Sequence, residues 1–229
     1  MNEMPWLLEC RQVGKTYHTG EEDLTVLNEL DFALAPCEFA AITGESGCGK
    51  STLLHLLGCL DQESGGEIFY KGTSLAGLDE EKRNRIRNQE FGFVFQFHYL
   101  LPEFSAIENI ILPGLIRGES ESRLRQRAEE LLNDLRLMGR KDAKPYRLSG
   151  GEQQRVAVAR SLINQPEIVF MDEPTGNLDP RHSEEMIDMV LQQKQKHQLA
   201  IVMVTHSHEI ARKADRHLTL RQGKLFPAS

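Results

Sequence analysis

Residues 44–51, Gly44-Glu45-Ser46-Gly47-Cys48-Gly49-Lys50-Ser51, decide how the rest of this chain is read. They fit the spacing G-x-x-x-x-G-K-[ST]. The glycines permit a tight backbone wrap with N–H groups turned inward. The apolar run Phe39–Thr43 supplies a strand to leave, and residues 52–58 supply a helix to enter, whose dipole adds positive charge. Such a loop holds a chain of phosphates: Lys50 reaches the β- and γ-phosphates, and the Ser51 hydroxyl ligates Mg²⁺. The expected ligand is ATP with Mg²⁺, contacted by Gly44, Glu45, Ser46, Gly47, Cys48, Gly49, Lys50, Ser51 and Thr52. A nucleophile elbow, G-x-S-x-G, is excluded because Cys48 stands where it needs glycine.

Further apolar runs each break into polar or small residues. Phe93–Phe95 runs into Gln96, 168–171 into Asp172-Glu173, and 201–205 into His206. Continuous apolar runs suit parallel strands buried on both faces. Ligands of open α/β sheets bind beyond the carboxyl ends of the strands, so the loop, Gln96, Asp172-Glu173 and His206 are expected along one sheet edge. There Asp172 holds Mg²⁺ through water, and Glu173 orients or deprotonates an attacking water. His206 donates to the γ-phosphate, and Gln96 touches both metal and water. His208 raises a His-x-His metal pair as an alternative, without further ligands at suitable spacing.

Earlier in the chain, residues 7–13, 27–34 and 67–70 read as strands with partial alternation. Leu124, Ala128, Leu131, Leu132 and Leu135 recur at helical spacing, as do Val156, Ala159, Leu162 and Ile163, and Met186, Ile187, Val190 and Leu191. Residues 105–146 carry little strand signal and read as an inserted helical subdomain. Residues 217–225 read as a closing hairpin.

The chain has 229 residues with 27 basic against 34 acidic side chains, a net charge of −7. That balance argues against a general nucleic-acid binder, which needs a basic excess. The cluster Lys82, Arg83, Arg85 and Arg87 reads as a solvated helix face. Cys10, Cys37, Cys48 and Cys59 form no C-x-x-C pair and read as reduced thiols. Met1–Trp6 lacks the basic and apolar regions of a secretory signal. No apolar run approaches the ~20 residues that span a bilayer, so a membrane role is expected through a partner.

Leu148-Ser149-Gly150-Gly151-Glu152-Gln153-Gln154-Arg155 opens a helix with a serine and two glycines, a second anion site. With this stretch in place, the chain resembles the ATP-binding cassette (ABC) family over nearly its whole length. The resemblance implies an α/β, P-loop NTPase fold: an ABC-type ATPase core with an antiparallel β subdomain and an inserted helical subdomain. It implies one domain over 1–229, the core at 1–95 and 165–229 and the helical part at about 97–163. It also implies a head-to-tail homodimer. Ser149, Gly150, Gly151 and Glu152 then serve the partner's ATP, and Asp179, in Gly176-Asn177-Leu178-Asp179, crosses the interface. Tyr17 looks like the aromatic that stacks on adenine, Gln96 the Q-loop residue, Glu173 the catalytic glutamate and His206 the switch histidine.

Within the family, Gln96-Phe97-His98-Tyr99-Leu100-Leu101-Pro102-Glu103-Phe104-Ser105-Ala106 is similar to the branch that powers release of lipoproteins from the inner membrane. Residues 54–58 and 173–179 are shared with the macrolide-exporter and cell-division branches. The resemblance implies integral membrane permease partners, no nucleic acid, and a peripheral position on the cytoplasmic face of the inner membrane. Phe97, Tyr99 and Leu100 are expected to face a membrane partner or to pack inside the subdomain. Three departures stand out: Ser207 where the family usually has aspartate, Cys48 in the loop, and Pro36-Cys37-Glu38 in place of a glycine turn. Two other readings stay open: a soluble ABC ATPase acting on DNA or ribosomes, and a regulatory subunit that turns ATP over slowly.

Overall fold

The computed structural model describes residues 6–20 and 22–228; Met1–Pro5, part of the stretch read as lacking a leader, lies outside them. Ten strands and seven α-helices follow in chain order among the described residues. These are β1 (Leu8–Thr19), β2 (Glu22–Leu34), β3 (Phe39–Thr43), α1 (Lys50–Leu57), β4 (Gly65–Tyr70), β5 (Thr73–Ser74), α2 (Glu80–Gln89) and β6 (Phe91–Val94). Then come α3 (Ala106–Ile116), α4 (Glu121–Asp134), α5 (Gly150–Leu162), β7 (Ile168–Asp172), α6 (Pro180–His197), β8 (Ala200–Val204), α7 (His208–Ala211), β9 (Arg216–Arg221) and β10 (Lys224–Pro227). Backbone contacts divide the chain into one unit of residues 1–84 with 200–229 and another of residues 85–199.

The first unit holds two sheets. In one, β1 pairs antiparallel with β2 and with β4. Register shifts after Cys10 accompany Gln12, whose φ of 49° is left-handed and whose N–H donates to Asp31 Oδ1 at 2.8 Å. In the other, β3 lies parallel to both β8 and β9, and β10 closes antiparallel on β9. β3 and β8 are buried at every position, as a central strand requires: Phe39-Ala-Ala-Ile-Thr43 and Ala200-Ile-Val-Met-Val204 have no polar face to present to water. The turn between β9 and β10 is tied to β2 by the Asn28 N–H on Gly223 O, 3.1 Å.

The turn into β3 shows how the chain replaces a glycine. Cys37 takes φ 59° after Pro36, the left-handed conformation that glycine adopts without a Cβ penalty. Glu38 accepts the Ala35 N–H at 2.7 Å and so holds the turn closed.

The second unit pairs β6 parallel with β7 and packs α5 on β6, with α3, α4 and α6 gathered around α5. Phe170 meets Phe91 edge to face at 5.2 Å and Phe93 in a stack at 5.6 Å, so an aromatic layer fixes the register of these strands. Helix α4 turns Leu124, Ala128, Leu131 and Leu132 inward, the spacing seen in the sequence. Gly114 of α3 admits Leu124: a Cβ there would stand 2.2 Å from Leu124 Cδ2.

The basic cluster on α2 is a partial correction. Lys82 is exposed and pairs with Asp79 at 3.1 Å, but Arg83 is buried and donates to Leu75 O at 3.1 Å. Arg83 caps a carbonyl rather than forming part of a solvated face.

Candidate functional site

In the first unit, β3 and β8 run parallel and side by side, so their carboxyl ends share one edge. Residues 44–49 leave β3 there, and Thr205-His206 leave β8 there. The loop enters α1 through Gly49, at φ 103°, after Gly47 at φ 77°. A Cβ on Gly49 would stand 2.6 Å from Val26 Cγ1, so the loop lies tight against β2 and admits no larger residue without displacement. Lys50 is buried and curls back, its Nζ donating to the carbonyls of Gly44 and Glu45, both at 2.9 Å. The ammonium is thus held inside the loop, where an anion lying on the α1 N-terminus meets it. Glu45, Ser46, Gly47 and Ser51 are exposed, while Cys48 and Thr52 are half-buried.

His206 is exposed at the end of β8. With Gly44, Glu45, Cys48 and Arg221 it lines a cleft of about 730 Å³. Ser207 accepts the Ile210 N–H at 3.3 Å and caps the short helix α7, a service that serine and aspartate both perform. This departure therefore leaves the local fold intact. His208 faces His217 at 5.8 Å between rings. Among the described residues, no group of three or more His, Cys, Asp or Glu is placed to hold a metal ion. All four cysteines are free thiols.

Tyr17 is half-buried on β1, opposite Leu24 of β2. Its hydroxyl donates to Asp61 Oδ2 at 3.0 Å.

In the second unit, parallel β6 and β7 likewise bring their carboxyl ends together. Gln96 follows β6, and Asp172-Glu173 end β7; all three are half-buried. Glu173 takes φ 46°, a left-handed conformation that costs a non-glycine residue free energy and concentrates at functional positions. The Asn177 side chain donates to Gln96 O at 3.1 Å, and Gly176 lies so close that a Cβ would stand 3.0 Å from Gln96 Nε2. Residues 173–177 therefore hold Gln96 in place.

Helix α5 begins with a capping box. The Ser149 Oγ accepts the Glu152 N–H at 3.3 Å, and Glu152 Oε2 accepts the Ser149 N–H at 2.8 Å. The backbone N–H of Ser149 and a bond from Arg140 hold the Glu152 carboxyl below its ordinary value, despite burial that opposes them. Gly150 and Gly151 follow, exposed and half-buried. A cleft of about 310 Å³ brings Ser149, Gly150 and Gly151 together with Asn177, Asp179 and His182. Asp179 caps α6, accepting the His182 N–H at 3.1 Å and facing its Nδ1 at 2.5 Å.

Several contacts around these residues carried no sequence signal. Gln154, buried on α5, donates to Phe95 O at 3.3 Å, and Arg160 donates to His98 O and Tyr99 O, both at 2.7 Å. Lys15 and Asp61 flank Tyr17. Spacing alone could not reveal these partners, because each bonds across tens of residues. Phe97 and Tyr99 are largely exposed, so they do not serve as subdomain core.

Comparison with known proteins extends this picture. Residues 27–176 match the family described as "ABC transporter". The chain is 46% identical over 219 residues to the lipoprotein-releasing system ATP-binding protein LolD of Idiomarina loihiensis, covering 96% of each chain. It is 47% identical over 219 residues to LolD of Pseudomonas fluorescens, again covering 96% of each. Among solved structures it is similar to the dimeric, post-hydrolysis ATP-binding cassette MJ0796 bound to ADP and Pi. That likeness has a TM-score of 0.88 at 35% identity, covering 96% of this chain and 98% of the other.

Proposed function

This chain belongs to the ABC transporter family as an ATP-binding, ATP-hydrolysing subunit, and we propose that it powers membrane partners in releasing lipoproteins from the inner membrane. The observation that supports the cargo is the 46–47% identity to lipoprotein-releasing ATPases along 96% of both chains. The ABC-type α/β fold is shared with ATP-binding cassettes of solved structure. Within it we retain a single ABC domain, with a helical part at about 97–163.

The proposed site assignments follow from the chemistry of the two units. The loop fits a triphosphate: Lys50 is already turned inward on two carbonyls, and Gly47 and Gly49 supply backbone conformations that side chains resist. Gly44 to Thr52 bind the phosphates, and Tyr17 stacks on the base. The oxygen donors of Ser51, Gln96 and Asp172 are hard ligands suited to Mg²⁺, which when bound neutralises charge on the β- and γ-phosphate oxygens. Glu173 accepts a proton from the attacking water, and Gln96 orients that water. His206 donates to the γ-phosphate as negative charge develops. In a head-to-tail homodimer, Ser149, Gly150, Gly151 and Glu152 present the α5 N-terminus to the partner's nucleotide, with Asp179 at the interface.

No helix among the described residues is long and apolar enough to cross a membrane. In the proposed reading the chain is a peripheral subunit that docks to integral permease partners on the cytoplasmic face. Exposed Phe97 and Tyr99 belong to that docking surface in this reading. The test is reconstitution. Purified with its co-isolated membrane subunits into lipoprotein-bearing liposomes, the chain is expected to release lipoprotein in an ATP-dependent manner. ATP-dependent transport of a macrolide or peptide without lipoprotein release would overturn the cargo and favour the exporter branch.

A further inference from the structure

We propose that Asp61, with Lys15, is a positioning residue that fixes the Tyr17 ring as the platform for the nucleotide's base. The inference rests on the proposed stacking role of Tyr17 and goes beyond it, because it says what holds the ring in place.

A half-buried tyrosine on a strand has rotamer freedom to lose before it can stack, and a pre-ordered ring binds a base with less entropic cost. Here the ring is tied at both its edge and its face. The hydroxyl donates to Asp61 Oδ2 at 3.0 Å. Lys15, only 9% exposed, donates to Asp61 Oδ1 at 2.8 Å and to Gln62 O at 2.7 Å. The same ammonium stands 4.8 Å from the Tyr17 ring centroid, a cation–π contact on one face that assigns a base to the other. The Gln62 N–H also reaches Asp61 Oδ1, at 2.7 Å, so the carboxylate serves three donors. Burial raises the Asp61 carboxyl, but these bonds outweigh it and hold the group below its ordinary value.

Asp61 is anchored to the phosphate end of the site through the chain. Helix α1 starts at Lys50 in the phosphate loop, and the turn after it folds back with the Leu60 and Asp61 N–H groups on His55 O, at 2.8 and 3.3 Å. An eight-residue helix is roughly 12 Å long and stiff. Phosphate loop and base platform therefore hang on the two ends of one helix, and Asp61 is the pin at the far end.

The experiment is calorimetric titration of the full chain with ATP and with tripolyphosphate, which has the phosphates and no base. Tyr17→Ala is expected to weaken ATP binding roughly 5- to 150-fold, the range of one base–aromatic stack, and to leave tripolyphosphate unchanged. Asp61→Ala is expected to weaken ATP alone, by roughly three- to tenfold for a lost hydrogen bond, with little further loss in the Tyr17→Ala background. Tyr17→Phe keeps the ring and removes only the hydroxyl, and is expected to match Asp61→Ala; it serves if the aspartate variant does not fold. If Tyr17→Ala has no effect, the stacking role fails and the proposal with it. If Tyr17→Ala weakens ATP while Asp61→Ala and Tyr17→Phe do not, the stacking role stands and the pin is overturned. Equal loss of ATP and tripolyphosphate in Asp61→Ala would also overturn it, because the residue would then act on the fold.

Discussion

Arg160 on α5 donates to the carbonyl oxygen of Tyr99 at 2.7 Å, and its other terminal nitrogen donates to His98 O at the same distance. The helix that starts at Ser149 thus grips the segment that follows Gln96. Tyr99 sits in a left-handed conformation at φ 47°, which the two bonds help to hold. Arg160→Ala is expected to cost about 1–3 kcal/mol, discounted for partial exposure, and to speed hydrogen exchange in residues 97–101. Arg160→Lys should recover only part of this, since an ammonium lacks the fork that serves two carbonyls. Unchanged exchange in both variants would mean that other contacts hold the segment.

Gly49 and Gly150 separate steric from chemical roles. Gly49→Ala combines φ 103° with a Cβ 2.6 Å from Val26 Cγ1, so a stability loss of about 1–3 kcal/mol is expected along with loss of ATP binding. Gly150→Ala meets no heavy atom within 4 Å and should melt like the parent. If Gly150 faces a partner's nucleotide, that variant still loses ATPase activity. Thermal melts and steady-state rates on both variants check this.

Ser149 performs two jobs that substitutions can divide. Ser149→Ala removes the cap on α5, at about 1 kcal/mol. Ser149→Asp keeps a capping oxygen and places negative charge where the partner's phosphate is proposed to lie, so stability is retained and hydrolysis is lost. Parental activity in the Ser149→Asp variant would remove Ser149 from the phosphate site.

Burial lowers the pKa of His98, against the Gln154 side chain and the Gln96 and Gly150 backbone, which favour the charged ring and raise it. The folded chain therefore favours the neutral imidazole more than the unfolded chain does. Its stabilising contribution is complete above the unfolded value, near ~6.5, and is lost as pH falls through the lower folded value. Melting temperatures of the parent and His98→Asn from pH 8 to 5 should converge toward the acid end. Parallel curves would show that His98 does not titrate with unfolding.

Much of this arrangement was legible in the residues. The runs 39–43 and 168–172 became fully or nearly buried strands because nothing in them tolerates water. The helix read as opening at residues 148–155 begins at Gly150, with Ser149 and Glu152, three residues apart, capping it. The β1–β2 hairpin was only half visible: β2 begins at Glu22, where exposed charged residues on a solvated sheet hide the alternation. The strand read at Phe93–Phe95 spans Phe91–Val94, because Phe91 packs on Phe170 and Gly92 fits against Ser161, pairings set by tertiary contact. Arg83, read as part of a solvated face, and Asp61 and Arg160 were illegible for the same reason. Each looks like an ordinary surface charge until its distant partner is in place.

The most direct test is Glu173→Gln, measured for ATP binding, ATP turnover and self-association. The variant is expected to bind Mg²⁺-ATP like the parent, to hydrolyse it at least ~100-fold more slowly, and to accumulate as a dimer with ATP but not with ADP. Parental turnover by Glu173→Gln would contradict the proposed catalytic carboxylate. ATP binding without any dimer would contradict the head-to-tail site that Ser149 is proposed to complete.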